Sequence, residues 1–504
     1  MRLNRKTVSK NIIFALVMQF ATLISGFIIP KMILNYFGSE VNGLISSINQ
    51  FLGYITLLEG GLSGVIMAGL YKPLQKKDVK QISGVVNAAE HFFRRIALIY
   101  LAYVLVVSVI FPFRYHVAYS YGYTFALIWI LAINLFTQYY FSLTFKLLIQ
   151  ADQRAYIVSI VQTITILLNL ISTITIARFY QNILIIKLFG VFSFCVQPIV
   201  FAKYIKAHFE IDKKVEADKA AISQRWDGFW QNIAYFVHSN TDIVVLTLFS
   251  SLTNVSIYTV YLLVINALKN FIVSVSGAIV PTLGNTLAGN NEEEIRTEFN
   301  LYEFVIFFTT TFLFASGMSL IVPFVTVYTK GINDANYNQP IFAILMVLAE
   351  VVYCLRDPYV SISYAAGHFR QTRKYATTEA LVNIVISVIL VQQLSIVGVA
   401  IGTLIAMLLR AIMHVLYLKK DILLRPRRYA LKMMTISIFV IIGIYFLSNN
   451  IFNMQVVNYF EWIVLAIEIS LIALIIIICI SVIAYKKQMQ RMIRMFKSKI
   501  HKSL

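Results

Sequence analysis

The chain has 504 residues, 59% hydrophobic and only 13% charged, with a formal net charge of +20. A soluble protein of this length needs more charge to coat its surface, so the composition excludes that class and implies a membrane protein. The positive balance suggests nucleic acid as a partner, but the distribution of basic residues described below excludes it.

A hydrocarbon core about 30 Å thick takes roughly 20 helical residues to cross. Continuous apolar runs of that length recur along the chain without strand-like alternation, which argues for helices rather than a barrel. They fall near 10–34, 43–71, 93–113, 123–150, 155–177, 183–204, 228–249, 255–282, 301–325, 340–365, 376–393, 396–418, 431–449 and 461–484. The expectation is an all-α polytopic membrane protein with about fourteen transmembrane helices. The first run, "NIIFALVMQFATLISGFIIPKMIL", is too long for a signal-peptide core and lacks a small-residue cleavage site, so it reads as a retained helix. Cys195, Cys354 and Cys479 lie inside apolar runs, with no disulfide framework and no CxxC metal pattern.

An ionised group at mid-bilayer costs a few kcal/mol, so such groups face a partner or water. Glu59 lies within the second run, "YFGSEVNGLISSINQFLGYITLLEGGLSG", and Gly60, Gly64 and Ala68 follow at a spacing that lets a neighbouring helix approach. Lys269 occupies almost the corresponding level of the eighth run, beside Ser274, Gly277, Ala278 and Pro281. Each can face a cavity, or Glu59 can form an internal ion pair with Lys269 or another cation. The seventh run places His238 and Asp242 one turn apart, as a proton or cation site or as an ordinary polar patch. In the tenth, "EVVYCLRDPY", Glu350, Tyr353 and Asp357 share a face, Arg356 points about 100° away, and Pro358 loosens the backbone. For Arg356 a cavity role competes with acid pairing inside one lobe. Arg410 and His414 lie nearer the inner face, where snorkelling is the simpler reading for Arg410. Lys31, Lys146 and Glu303 read as interface residues near helix ends.

Of the 43 Lys and Arg, only Lys31, Arg114, Arg178, Lys187 and Lys330 belong to one side under this list, and Lys269, Arg356 and Arg410 lie within helices. The remainder sit at the opposite face, as in "KPLQKKDVK" and "RPRRYALK", which marks that face as cytoplasmic with both termini inside. In the tail, "KKQMQRMIRMFKSK", Met489, Met492, Phe496 and Ile500 recur at helical spacing among cations, so this segment is expected on the inner membrane surface.

The chain also resembles itself. Asn42 matches Asn254, Gly190 matches Gly402, Pro112 matches Pro323 and Tyr204 matches Tyr417, at offsets of 212, 212, 211 and 213. The inner turns "QADQRAYIVS" and "AAGHFRQTRKY" correspond as well. This predicts two six-helix lobes, 1–206 and 228–420, related as a parallel repeat. A cytoplasmic linker (207–227) joins them, and a final helix hairpin with a basic tail occupies 421–504. Two such lobes with a site between them is the plan of an alternating-access carrier.

No GxxxxGK[ST], HExxH or GxSxG is present, so the chain reads as a non-enzyme without a cofactor or metal. The stretches "YFGSEVNGLISSINQFLGYITLLEGGLSGVIMAGL" and "TDIVVLTLFSSLTNVSIYTVYLLV", with the later "AIVPTLGN", resemble bacterial polysaccharide-unit flippases. Those belong to the multidrug/oligosaccharidyl-lipid/polysaccharide exporter superfamily, and the resemblance spans essentially the whole chain. It implies a multi-pass protein of the bacterial plasma membrane that moves a polyprenyl-pyrophosphate-linked oligosaccharide from the cytoplasmic to the outer leaflet. Its partners would be that lipid-linked oligosaccharide, membrane lipids, a monovalent cation or proton, and other polysaccharide assembly proteins. Family cavities are commonly cationic, which makes Lys269, Arg356 and Arg410 the substrate-binding candidates. Glu59, Asp242, Glu350 and Asp357 are the ion-coupling candidates. An ion-coupled multidrug antiporter of the same fold competes, although the first run offers Gln19, Thr22 and Ser25 and no acid. A membrane polymerase or ligase and a pure scaffold rank lower, since outer connections are short and a scaffold leaves the deep charges without a purpose.

Overall fold

The computed structural model describes residues 5–59, 62–115, 119–218, 240–289, 291–421, 428–452 and 454–503, and among them there are helices and turns but no strand. The chain divides into two compact units, Met1–Phe236 and Val237–Leu504.

Unit 1 opens with α1 (Arg5–Gly53), which as one straight rod would be about 74 Å long at 1.5 Å per residue. It is broken instead at Gly38, whose φ of 82° and ψ of 179° suit only a residue without a Cβ. A turn at Tyr54–Ile55 leads to α2 (Thr56–Glu59) and α3 (Leu62–Lys76), then α4 (Val79–Tyr115) and α5 (Tyr121–Thr137). A five-residue π-helix, Gln138–Ser142, joins α5 to α6 (Leu143–Ala151). α7 (Ala155–Phe179), α8 (Ile183–Phe194) and α9 (Val196–His208) complete the set.

Unit 2 holds α10 (Asn240–Phe249), α11 (Leu252–Ala288), α12 (Glu292–Tyr328) and α13 (Pro340–Ala365). α14 (Phe369–Asp421), α15 (Arg428–Ile451), α16 (Tyr459–Ala484) and α17 (Lys486–Ser503) follow. α14 is broken at Ser395, which at φ 51° occupies a conformation that L side chains avoid. Its hydroxyl is fixed by Asn254 Nδ2 at 2.8 Å and Ser250 Oγ at 3.1 Å, so the start of α11 holds the kink.

Among the described residues, ten helical stretches are long and apolar enough to cross a membrane, two of them containing these breaks. α13 is long enough but carries Glu350, Arg356 and Asp357 through its middle. The fourteen predicted segments coincide with these helices, except that residues 60–61 and 228–239 lie outside the described residues. Part of the predicted linker, 219–227, lies outside them too.

Lipid tails are as apolar as leucine, so helix association here depends on close packing and hydrogen bonding. α12 packs on α11, α13, α15 and α16, burying Phe299, Phe304, Phe307 and Phe314 completely. In unit 1, α7 packs on α1 and α8. The matched glycines both serve close approaches. A Cβ on Gly190 would lie 2.6 Å from Asn169 Oδ1, and one on Gly402 would lie 2.3 Å from Ser387 Oγ. Phe20, Ile110, Phe113, Phe439, Ile475 and Ile483 are exposed, an arrangement that only an acyl-chain environment makes favourable.

The two matched turns close identically. In the first, Asp152, Gln153 and Arg154 donate backbone N–H groups to Leu148, Gln150 and Ile149, with Gln153 at φ 64°. In the second, Ala366, Gly367 and His368 donate to Ile362, Tyr364 and Ser363, with Gly367 at φ 77°. Each turn is then braced by a matched tyrosine: Arg154 donates to the Tyr204 hydroxyl at 2.7 Å, and the Tyr417 hydroxyl meets His368 Nδ1 at 2.6 Å.

The predicted tail helix is present as α17. Met489 is buried, and Arg491 reaches back to Glu298 on α12 at 2.6 Å. The side chains of Phe496 and Ile500 lie outside the described residues.

Candidate functional site

The three predicted cations converge in unit 2. Lys269 on α11 donates to Glu350 Oε1 on α13 at 3.2 Å. One turn along α13, the Tyr353 ring lies 5.5 Å from the Lys269 ammonium and 4.9 Å from the Arg356 guanidinium, within cation–π range of both. Arg356 donates to Glu379 Oε1 at 3.1 Å, and Arg410 donates to the other oxygen of the same carboxylate. Ordered along these contacts, Glu350, Lys269, Tyr353, Arg356, Glu379 and Arg410 form one network across α11, α13 and both legs of α14.

The helical spacing explains how α13 serves two neighbours. Glu350 and Asp357 point toward α11 and α12, and Arg356, about 100° around, points toward α14. Arg356 is 3% exposed and Glu379 1%, whereas Lys269 keeps 17%. Lys269 is therefore the most accessible of the three cations. Arg410 does not snorkel: the Glu379 carboxylate offers it a charged partner inside the unit, so the guanidinium turns inward and is buried.

Lys269, Arg356 and Arg410 face Glu350 and Glu379 directly, and Asp357, next to Arg356 on α13, balances the third cation. Arg356 Nε and Arg410 Nε are buried donors with no hydrogen-bond partner among the described residues, as are the acceptor Glu350 Oε2 and the two ring nitrogens of His414, one a donor and one an acceptor in the neutral ring. A partly accessible ammonium backed by two guanidinium N–H donors without partners can hold an anion.

The remaining acids are held differently. Asp242 on α10 accepts from Tyr258 and from Thr403, each at 2.8 Å, and Thr403 in turn accepts from Asn383 Nδ2 at 3.0 Å. Asp357 accepts from Ser276 and, at 3.0 Å, from Tyr302. Glu303, expected at the interface, is buried and accepts from Tyr359. Hydroxyl donors stabilise a carboxylate without contributing formal charge, and Asp357 in addition lies in the field of Arg356. Among the described residues no group of three His, Cys, Asp or Glu could hold a metal. His238, paired with Asp242 in the sequence reading, lies outside the described residues.

Glu59 belongs to unit 1, where it accepts from Ser63 at 2.9 Å and from Tyr139 at 3.0 Å. Tyr139 is part of the π-helix, whose wider turn shifts the register of the rod and presents that hydroxyl to the carboxylate. Glu59 is thus hydrogen-bonded by neutral donors of its own unit and lies in the field of Lys146 on α6.

Glu379, Thr403, Tyr258 and Tyr139 were not among the expected site residues. Glu379 alone carried a signal, as an acid in the eleventh apolar run, but its position near an inner turn gave it the look of a flanking charge.

No family model matches the sequence, and no curated protein matches it significantly. Solved structures do match. The lipid II flippase MurJ in an inward closed conformation superposes with a TM-score of 0.72 at 16% identity, covering 95% of this chain and 100% of that one. A multidrug resistance MATE family transporter of the MOP superfamily, inward-facing, gives 0.59 at 13% identity, over 85% of this chain and 98% of that one. The MATE multidrug transporter DinF-BH gives 0.60 at 13% identity, over 84% and 98%. The chain is an all-α polytopic membrane protein with the fold that MurJ shares with the MATE transporters of the MOP superfamily.

Proposed function

We propose that the protein is a flippase that carries a polyprenyl-pyrophosphate-linked oligosaccharide from the cytoplasmic to the outer leaflet of a bacterial plasma membrane by alternating access of its two lobes. Both termini are cytoplasmic in this reading, and the protein works alongside other polysaccharide assembly proteins. The observation that carries it is the connected network of Lys269, Arg356 and Arg410, with Lys269 its most accessible cation and two guanidinium N–H donors unused.

A pyrophosphate cannot cross hydrocarbon unaided, and a buried cation stabilises it through charge-assisted hydrogen bonds. Lys269 makes first contact with the headgroup. Arg356 and Arg410, enclosed and shared by Glu379, set the positive potential behind it. The acids held by hydroxyls, Asp242 foremost and then Asp357 and Glu59, are the coupling sites for a proton or monovalent cation. Glu350, paired with Lys269, links coupling to substrate: when the substrate takes the ammonium, the carboxylate is released.

The same hydroxyl-held acids favour a second reading, an ion-coupled antiporter of cationic drugs. Purified protein in liposomes separates the two. The flippase reading expects movement of a defined lipid-linked oligosaccharide, strongly reduced in Lys269→Ala and Arg356→Ala variants that still insert normally. Unchanged rates in both variants would reject the cationic site, and robust acid-dependent efflux of a cationic dye would favour the antiporter.

A further inference from the structure

A second basic site lies away from the network above. Where the starts of α12 and α15 meet the end of α16 and the start of α17, unit 2 encloses a cavity of about 390 Å³. Arg296, Arg428 and Lys432 line it, with Glu303, Tyr485 and the apolar side chain of Met433. None of the three cations forms an ion pair with an acid among the described residues. Glu303, the one acid in the lining, accepts a hydrogen bond from Tyr359. The Tyr485 hydroxyl is buried with no hydrogen-bond partner among the described residues, although its ring is packed 5.2 Å from that of Phe307. Burial, and then the charge of Glu303, pushes this phenol up to about 12, so it remains a protonated donor at neutral pH.

We propose that this cavity binds the phosphate headgroup of an anionic membrane lipid. Three unpaired cations and one orphaned hydroxyl supply donors for phosphate oxygens, and the cavity falls in the size range of small-molecule sites. The surroundings fit a lipid rather than a free ion. Tyr429 and Leu431 on α15 and Val482 and Ile483 on α16 are exposed apolar residues beside the cavity, placed to meet acyl chains. α17, an amphipathic helix suited to the membrane surface, is tied to the rim by the Arg491–Glu298 pair. Basic pockets between helix ends at a cytoplasmic membrane surface recognise lipid headgroups by this chemistry. The site is independent of the flippase reading, since it is built from other residues.

The test is native mass spectrometry of the full-length protein in detergent. Phosphatidylglycerol, phosphatidylcholine, a polyprenyl pyrophosphate and inorganic phosphate are added separately. Phosphatidylglycerol should be retained in preference to phosphatidylcholine. An Arg428→Gln/Lys432→Gln variant should weaken that retention by roughly twenty-five-fold, from about fivefold per basic residue at an anionic surface. Tyr485→Phe should weaken it by a smaller factor, and Lys80→Gln, in unit 1, should leave it unchanged. Preferential retention of the polyprenyl pyrophosphate, lost in the same variants, would support a lipid-phosphate site and assign it to a substrate lipid. Equal retention of both phospholipids, unchanged binding in the double variant and Tyr485→Phe, or displacement by inorganic phosphate alone would overturn the proposal.

Discussion

Arg356 and Arg410 share one carboxylate: each guanidinium takes a different oxygen of Glu379, and all three side chains are buried. Two cations on one acid is stable only while the acid is present. Truncating it strands two buried charges, whereas neutral replacement of a whole buried triad is often tolerated. Glu379→Ala should therefore destabilise the protein by about 3–5 kcal/mol, and a triple variant with Met at 356, 379 and 410 by clearly less. Thermal unfolding of the purified variants checks this, and equal melting temperatures would contradict it.

Asp242→Asn keeps the shape of the side chain and can still accept from Tyr258 and Thr403, but it can no longer bind a proton or balance a cation. If coupling runs through this site, transport in proteoliposomes should persist at a basal level and lose its response to an imposed Na⁺ or pH gradient. Glu59→Gln, made in the other unit, provides the comparison. A variant at Asp242 that still responds fully to both gradients would remove the residue from the coupling scheme.

Gly38 and Gly26 lie in the same helix and should respond oppositely to alanine. At Gly38 the backbone has φ 82°, so a Cβ adds strain of about 1–3 kcal/mol. At Gly26 nothing lies within 4 Å of an added Cβ, and alanine should be neutral or stabilising by about 0.5–1 kcal/mol. Melting temperatures of the two single variants decide the matter.

The matched glycines give a graded comparison. On Gly190 the nearest obstacle is the end of the Asn169 side chain, which can rotate away. On Gly402 the Cβ also meets Ser387 N at 2.9 Å, and backbone cannot yield so easily. Gly402→Ala should cost more stability than Gly190→Ala, by about 1 kcal/mol or more, and Ser387→Ala should rescue it only in part.

The crossings were legible because each is a long apolar run, and membrane insertion imposes that pattern on the sequence regardless of tertiary detail. The tail helix α17 was legible for a similar reason, since its alternation of cations and apolar residues is local. The face shared by Glu350 and Asp357 followed from helical spacing alone. Partner choice did not. The hydroxyls of Tyr139, Tyr258 and Thr403 belong to residue types common along the chain, and nothing local separates the one that meets a carboxylate from those at the lipid surface. Arg410 was misread because an isolated arginine near a helix end has a cheap route to water, and only the fold places Glu379 closer. The strained Ser395 was hidden by an unbroken helical pattern around it.

The hydroxyl-held carboxylates carry one more consequence. A tyrosine or threonine O–H can turn from giving a hydrogen bond to receiving one. If Asp242 takes up a proton, its one O–H can point at Tyr258 or Thr403, reversing that contact while the other hydroxyl continues to donate. In the coupling scheme proposed above, the pocket would toggle between charged and neutral with no helix displaced at the moment of uptake, leaving the larger movement to the altered field.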